Sequence, residues 1–373
     1  MSGSARKSVA IYGGGIAGAV LANRLSRDFD VVLVDPHDYF EVPMAAPRSL
    51  VQPDFAEAAI IPFAQAMPSV GHEQAKLVKM THRGGIIEYG NGRRSLISGD
   101  VSVLATGSRL PNQLMRAYEG AANHRKEFYR GYHARLCRAQ RVLIVGGGPI
   151  GVETAGEISE VFPRKFVTVL ESGNRLLMGT SPKAAAHAAD VLLLRGVNIV
   201  IGERLAGSER PTDDIFRNGG KAGTSSGRRI SYDLMIWCTG GRPDTAYMAD
   251  DFPEVLDTNG RIMVTPGLMV VGQQTLFAIG DVTNLPENKM ALHIKGHVKV
   301  VEANIRRLLQ PSPSARMTSY VPQTNNPLMA VTLGSRTGVS HLPVLGVVRS
   351  AWLNRKVKAE RMLVPQYRKA IGA

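Results

Sequence analysis

Two glycine runs in this chain share the spacing G-x-G-x-x-G. Gly13, Gly14, Gly15, Ile16, Ala17 and Gly18 form the first; Gly146, Gly148 and Gly151 anchor the second. The spacing suits one chemistry, the cradling of a pyrophosphate. The first glycine permits a sharp turn, the second lets backbone approach the phosphates, and the third lets the next helix pack on its strand. The anion then rests on the helix N-terminus, where unpaired N–H groups and the helix dipole favour negative charge. One such run is weak evidence by itself, so the flanking elements decide.

Both runs have those flanks. An apolar strand pattern at 8–12 precedes the first, a helical pattern at 17–25 follows it, and a second strand at 30–34 ends in Asp35. The second run repeats this with strands at 141–145 and 166–170, a helix to Ile158, and Glu171 as the terminal acid. A carboxylate there accepts hydrogen bonds from ribose hydroxyls. Glu171 would repel a 2′-phosphate and favour NADH. Arg175, four residues on, offers such a phosphate a partner, so NADH and NADPH both stay open. The runs start at 13 and 146, a coarse repeat one domain long.

Further apolar runs end at glycines. These are 101–107, with Ala105, Thr106 and Gly107; 234–240, ending at Gly240; and 276–280, followed by Asp281. Each reads as a buried strand reaching a turn. Asp281 suits a flavin ribityl hydroxyl and equally suits a helix N-cap. The polar stretch 202–231 reads as a hairpin or loop.

In this order the motifs resemble the pyridine nucleotide–disulfide oxidoreductase superfamily. Asp35-Pro36-His37-Asp38-Tyr39-Phe40 and Pro47-Arg48 are similar to its apoptosis-inducing-factor-like branch of small NAD(P)H:quinone reductases. The resemblance implies an α/β fold of two Rossmann-like dinucleotide-binding domains, for FAD and NAD(P)H, with a small C-terminal α+β region. Its expected divisions are 1–112 and 233–310 for FAD, 113–232 for NADH or NADPH, and 311–373 for an interface or membrane-facing region. It also implies that Arg48 contacts the flavin cofactor and Leu77 lies by its adenine. Glu153 would lie near nicotinamide and flavin, Lys289 and Met290 would open a helix beneath the flavin ring, and Lys358 would lie near the flavin.

The chain departs from the superfamily in one respect. After Asp35 the segment 41–48 reads EVPMAAPR, without the cysteine pair of disulfide reductases. A thiol relay is excluded as the main route, so electrons must leave the flavin for a diffusible acceptor such as a quinone, oxygen or an artificial dye, with a quinone-like molecule expected. His293 and His297 stand at i, i+4 without a third ligand or an HExxH pattern, so no metal is expected. His293 is a candidate proton donor to a quinone, and His293, Lys295 or Lys358 a candidate partner for the developing quinol anion.

Composition bounds the rest. The 373 residues include 44% hydrophobic and 20% charged, as in globular proteins, and no apolar run reaches membrane-spanning length. Residues 1–7 are too short and polar for a secretory signal, and Ser2 excludes myristoylation. Two distant cysteines, Cys137 and Cys238, suit a reducing compartment, the cytoplasm or an organelle. The net charge of +14 points to an anionic neighbour. At the C-terminus Trp352, Leu353, Val357, Met362 and Leu363 lie among basic residues, so peripheral contact with an anionic membrane, packing on the core and a homodimer are all open. No nucleic-acid-reading motif is present, and specific nucleic-acid binding is not expected. The rival functions are an apoptosis-inducing-factor-like effector that binds nucleic acid and a reductase of an acidic electron-transfer protein.

Overall fold

The computed structural model describes residues 6–110, 113–117, 119–206, 216–311, 316–324, 329–342 and 345–373. The fold is α/β, with helices and strands mixed around two main sheets. The first sheet has seven strands in the order Leu276–Ala278, Val101–Leu104, Ser8–Tyr12, Asp30–Asp35, Gly71–Thr81, Gly84–Tyr89, Arg94–Ile97. The first five pair in parallel and the last two return antiparallel. Ser8–Tyr12 lies mid-sheet with Val9, Ala10, Ile11 and Tyr12 buried, because parallel strands are covered on both faces. Helices Ile16–Leu25, Ala291–Leu309 and Val364–Ile371 pack together on one side of it.

The second sheet runs Asn198–Ile201, Phe166–Glu171, Arg141–Val145, Arg229–Trp237, Phe216–Gly223, parallel except for the last pair. That pair is a hairpin that starts in the polar stretch 202–231 and runs on to Trp237; residues 207–215 lie outside those described. The expected division at 232/233 is corrected here, since it cuts a continuous strand. Val142 registers with Leu234 and Val145 with Trp237, so 234–237 belong to the second sheet. The return to the first sheet comes later, where Arg242–Pro243 pairs antiparallel with Ser108–Arg109. Helix Ala122–Arg138 bridges the two halves: Tyr129 and Leu136 share a core with Leu50 and Val142, and Lys126 and Arg130 pair with Glu57.

The C-terminal region is a three-stranded antiparallel sheet, Met329–Thr332, Gly338–Leu342 and Gly346–Val348, then helix Ala351–Asn354, a π turn at Arg355–Ala359, and helix Val364–Ile371. The apolar residues considered for a lipid face mostly turn inward. Met362 is fully buried, Leu353 and Leu363 are half-buried, and Trp352 is 69% exposed; the Val357 side chain lies outside those described. Among the described residues no helix is long and apolar enough to cross a membrane.

Candidate functional site

The two glycine turns are near copies in space. Gly13 and Gly146 both have φ of +108°, a conformation that favours glycine. A Cβ on Gly18 would stand 1.8 Å from the Gly13 carbonyl oxygen, and one on Gly151 would stand 1.8 Å from that of Gly146. The helices begin at Gly15 and Gly148 with no side-chain cap, which leaves their first N–H groups for an outside acceptor. Nothing lies within 4 Å of where a Gly148 side chain would project. Each turn therefore has the open donors that a dinucleotide pyrophosphate needs; the second has open space at Gly148, and at the first Arg116 Nη1 lies 3.0 Å from where a Gly15 side chain would begin.

Asp35 ends its strand buried, accepting from Gly14 N at 2.5 Å, His37 N at 3.0 Å and His37 Nδ1 at 2.7 Å, and pairing with Arg116. Burial disfavours its charge, but Arg116 and His37 outweigh that and hold the carboxyl well below the usual range. A cavity of about 320 Å³ opens beside it, lined by Gly13, Asp35, Leu77, Thr106, Arg109 and Arg116. Leu77 and Asp35 thus share one cavity, as an adenosine site requires. Ala105 backs the Gly13 turn, its oxygen 2.4 Å from where a Gly13 side chain would begin. Gly107, with φ of +73°, leads into Ser108, whose hydroxyl donates to Asp281 Oδ2 at 3.1 Å. Asp281 caps no helix; it lies inside the short turn Gly280–Val282.

On the second turn, Glu171 accepts from Gly147 N and Gly173 N, each at 2.6 Å. Arg175 is directed elsewhere, donating to the carbonyls of Leu176, Leu177 and Thr180. Gly240 follows the strand Arg229–Trp237 at the crossing between the halves.

Glu153 and Lys358, 205 residues apart, meet in the interior. Lys358 Nζ lies 2.6 Å from Glu153 Oε1 and also donates to the Ala330 carbonyl at 2.9 Å. The same carboxylate oxygen accepts from Thr332 N and Oγ1. Helix Pro149–Val161 supplies the acid and the π turn Arg355–Ala359 the ammonium. Such helical irregularities cluster at functional sites.

His293 stands with a different group. Its charged neighbours are Glu287, His297 and Lys289, and burial lowers its pKa. Glu287 accepts from His297 Nε2 at 2.8 Å, from Tyr320 Oη at 2.8 Å and from Gln323 N at 3.0 Å. Burial opposes its charge, yet these donors hold the carboxyl down at about 2. His297 Nδ1 in turn accepts from Gly280 N at 3.1 Å, tying this cluster to the Asp281 turn. Met290 is the N-cap of helix Ala291–Leu309, and Lys289 beside it donates to the Leu285 carbonyl at 2.9 Å. Burial, then Arg261, lowers the Lys289 pKa. Among the described residues no three His, Cys, Asp or Glu side chains are grouped to hold a metal.

Arg48 departs from expectation. It is 2% exposed and gives Nε and Nη2 to Glu157 at 2.5 and 2.7 Å, with Nη2 also reaching the Ala359 carbonyl. The cause is packing: its helix, Ala46–Val51, lies directly on Pro149–Val161, so its fork faces the Glu157 carboxylate. The guanidinium found by the first glycine turn is that of Arg116, which no sequence motif marks. Glu157 and Thr332 were likewise silent, since their partners are 109 and 179 residues away, and no motif marks Glu287.

Two matched pyrophosphate turns on separate sheets, with a buried carboxylate–ammonium pair on the second domain's helix, define a two-dinucleotide flavoprotein. A model of the pyridine nucleotide-disulphide oxidoreductase family matches residues 7–298, and the chain belongs to that family. Its cofactors are FAD and NAD(P)H, and it is an FAD-dependent NAD(P)H oxidoreductase. It is 28% identical over 356 residues to ferroptosis suppressor protein 1 of Taeniopygia guttata, covering 92% of this chain and 90% of that one. It is 22% identical to apoptosis-inducing factor homolog B of Dictyostelium discoideum, covering 98% and 96%. In fold it is similar to the sulfide:quinone oxidoreductase of Aquifex aeolicus, with a TM-score of 0.74, 15% identity, and coverage of 98% and 92%.

Proposed function

We propose that this chain is an NADH:quinone oxidoreductase whose acceptor meets Lys358. The observation that carries the reading is the placement of that lysine. Its ammonium is buried against Glu153, yet Lys358 also lines a cleft of about 240 Å³ with Leu363, Pro365 and Gln366. Leu363 and Pro365 are the cleft's apolar part and Lys356, Glu360 and Arg361 its charged rim, and a fixed cation at its edge suits an acceptor that gains negative charge on reduction. The bound FAD and NADH supply the hydride chemistry, and the protein supplies alignment. Glu153 and Ala330 hold the lysine in place, so little reorganisation is needed when the acceptor becomes anionic. The name of the Aquifex aeolicus enzyme, a sulfide:quinone oxidoreductase of similar fold, supports a quinone, as does the missing cysteine pair.

NADH is favoured over NADPH because Arg175 already serves three backbone carbonyls, while Glu171 stands where a 2′-phosphate would lie. One feature favours a second reading, reduction of an acidic electron-transfer protein. Arg336, Arg355, Lys356 and Arg361 are exposed, and all four line the Lys358 cleft or its neighbour. Steady-state turnover of the yellow protein with both nucleotides, against soluble quinones and acidic protein acceptors over a salt series, decides between them. Fast, salt-insensitive quinone turnover with NADH supports the first reading. Turnover confined to an acidic protein, falling steeply with salt, overturns it.

A further inference from the structure

We propose that Arg116 is a cofactor-holding residue whose guanidinium clamps the diphosphate and the adenosine ribose of FAD over the first glycine turn. It stands at the junction of those two groups. Its Nη2 pairs with Asp35, the acid placed for the ribose, and lies 3.3 Å from His37 Nδ1. Its Nη1 lies 3.0 Å from where a Gly15 side chain would begin, over the backbone that receives a pyrophosphate. The side chain is 37% exposed and lines the 320 Å³ cavity shared by Gly13, Asp35 and Leu77. One end is thus anchored by charge while the remaining N–H groups face the ligand space. Guanidinium is suited to this, because its planar fork bonds two phosphate oxygens at once.

The backbone around Arg116 is braced on both sides. Arg125, buried and paired with Glu41 at 2.8 Å, donates to the carbonyls of Gln113 and Leu114 at 2.6 Å each. His37 Nε2 meets the Ala117 carbonyl at 2.9 Å. A loop arginine held this way loses less entropy on binding, so more of its interaction appears as affinity. The segment is also the first crossing from the FAD half to the second sheet.

The proposal rests on the FAD assignment, and its test separates the two. Flavin-free wild type, Arg116→Ala and Arg116→Lys are titrated with FAD, following flavin fluorescence, and the rate of FAD release is measured. Arg116→Ala should raise the Kd for FAD about tenfold to a hundredfold, the loss of one or two charge-assisted hydrogen bonds. Arg116→Lys should fall between, keeping the charge and losing the fork. NADH affinity at the second turn should not move in either. If Arg116→Ala does not fold, Arg116→Lys decides. FAD affinity and release unchanged in the folded variants overturn the proposal, and so does an equal loss of FAD and NADH affinity. A wild-type protein that takes up no FAD would overturn the cofactor assignment instead.

Discussion

Replacing Lys358 by Met tests the centre of the site, and the structure sets the size of the effect. Glu153 is 3% exposed and has three donors, Thr332 N, Thr332 Oγ1 and Lys358 Nζ. Removing one partner of a buried ion pair costs about 3–5 kcal/mol, because the other charge stays buried. Two donors remain to Glu153, so the lower end, about 3 kcal/mol, is expected for Lys358→Met. The double variant Glu153→Gln/Lys358→Met removes both charges and should recover most of that loss, since a neutral replacement of a buried pair is often tolerated. The coupling across the cycle should then be about 2 kcal/mol or more. Calorimetry reads it as a melting point about 4 °C lower in the single variant, restored in the double. The acceptor step is read separately. NADH should still bleach the flavin band in the double variant, while recovery of the band on adding quinone slows about a hundredfold without the cation. Additive costs in the cycle would show that the pair is not the closed unit seen here. Unchanged recovery with quinone would remove Lys358 from the acceptor site.

The two glycine turns should fail independently. A methyl on Gly18 or Gly151 would meet a carbonyl oxygen at 1.8 Å. Gly18→Ala should therefore weaken FAD uptake and spare NADH, and Gly151→Ala the reverse, each by at least about tenfold in titrations. Glu171→Ala should raise KM for NADH more than for NADPH, whereas Arg175→Ala should leave NADPH turnover unchanged; a fall in NADPH turnover would give Arg175 the phosphate. Glu287 provides a pH prediction. Its carboxyl is held at about 2 against an ordinary 4.5, so its stabilisation is fully present above pH 4.5 and is lost as pH falls towards 2. Across that window wild type should lose up to about 3 kcal/mol that Glu287→Gln does not, and parallel melting curves for the two proteins would refute the assignment.

Much of the framework is local and was legible in order along the chain. A strand of buried residues, a glycine that must turn with positive φ, a helix start and a terminal acid all lie within about thirty residues, as a βαβ unit requires. Both units, with Asp35 and Glu171, stand where the motifs put them. The family resemblance, not a local motif, put Met290 at a helix start, where it is the N-cap of Ala291–Leu309. The division of the chain was less legible, because an apolar strand such as 234–237 carries no mark of the sheet it joins. Only its pairing with Arg141–Val145 settles that.

The charged interior belonged to the tertiary structure alone. Arg48 with Glu157, Glu153 with Lys358 and Arg125 with Glu41 join residues from 84 to 205 positions apart. Burial makes an unpaired charge so costly that each must find a partner, but which partner depends on which helices pack together. Motif spacing alone thus called for two dinucleotide sites and, with no cysteine pair after Asp35, for no thiol relay. The packing of helix Pro149–Val161 against Ala46–Val51 and the C-terminal π turn decided which cations pair with Glu157 and Glu153.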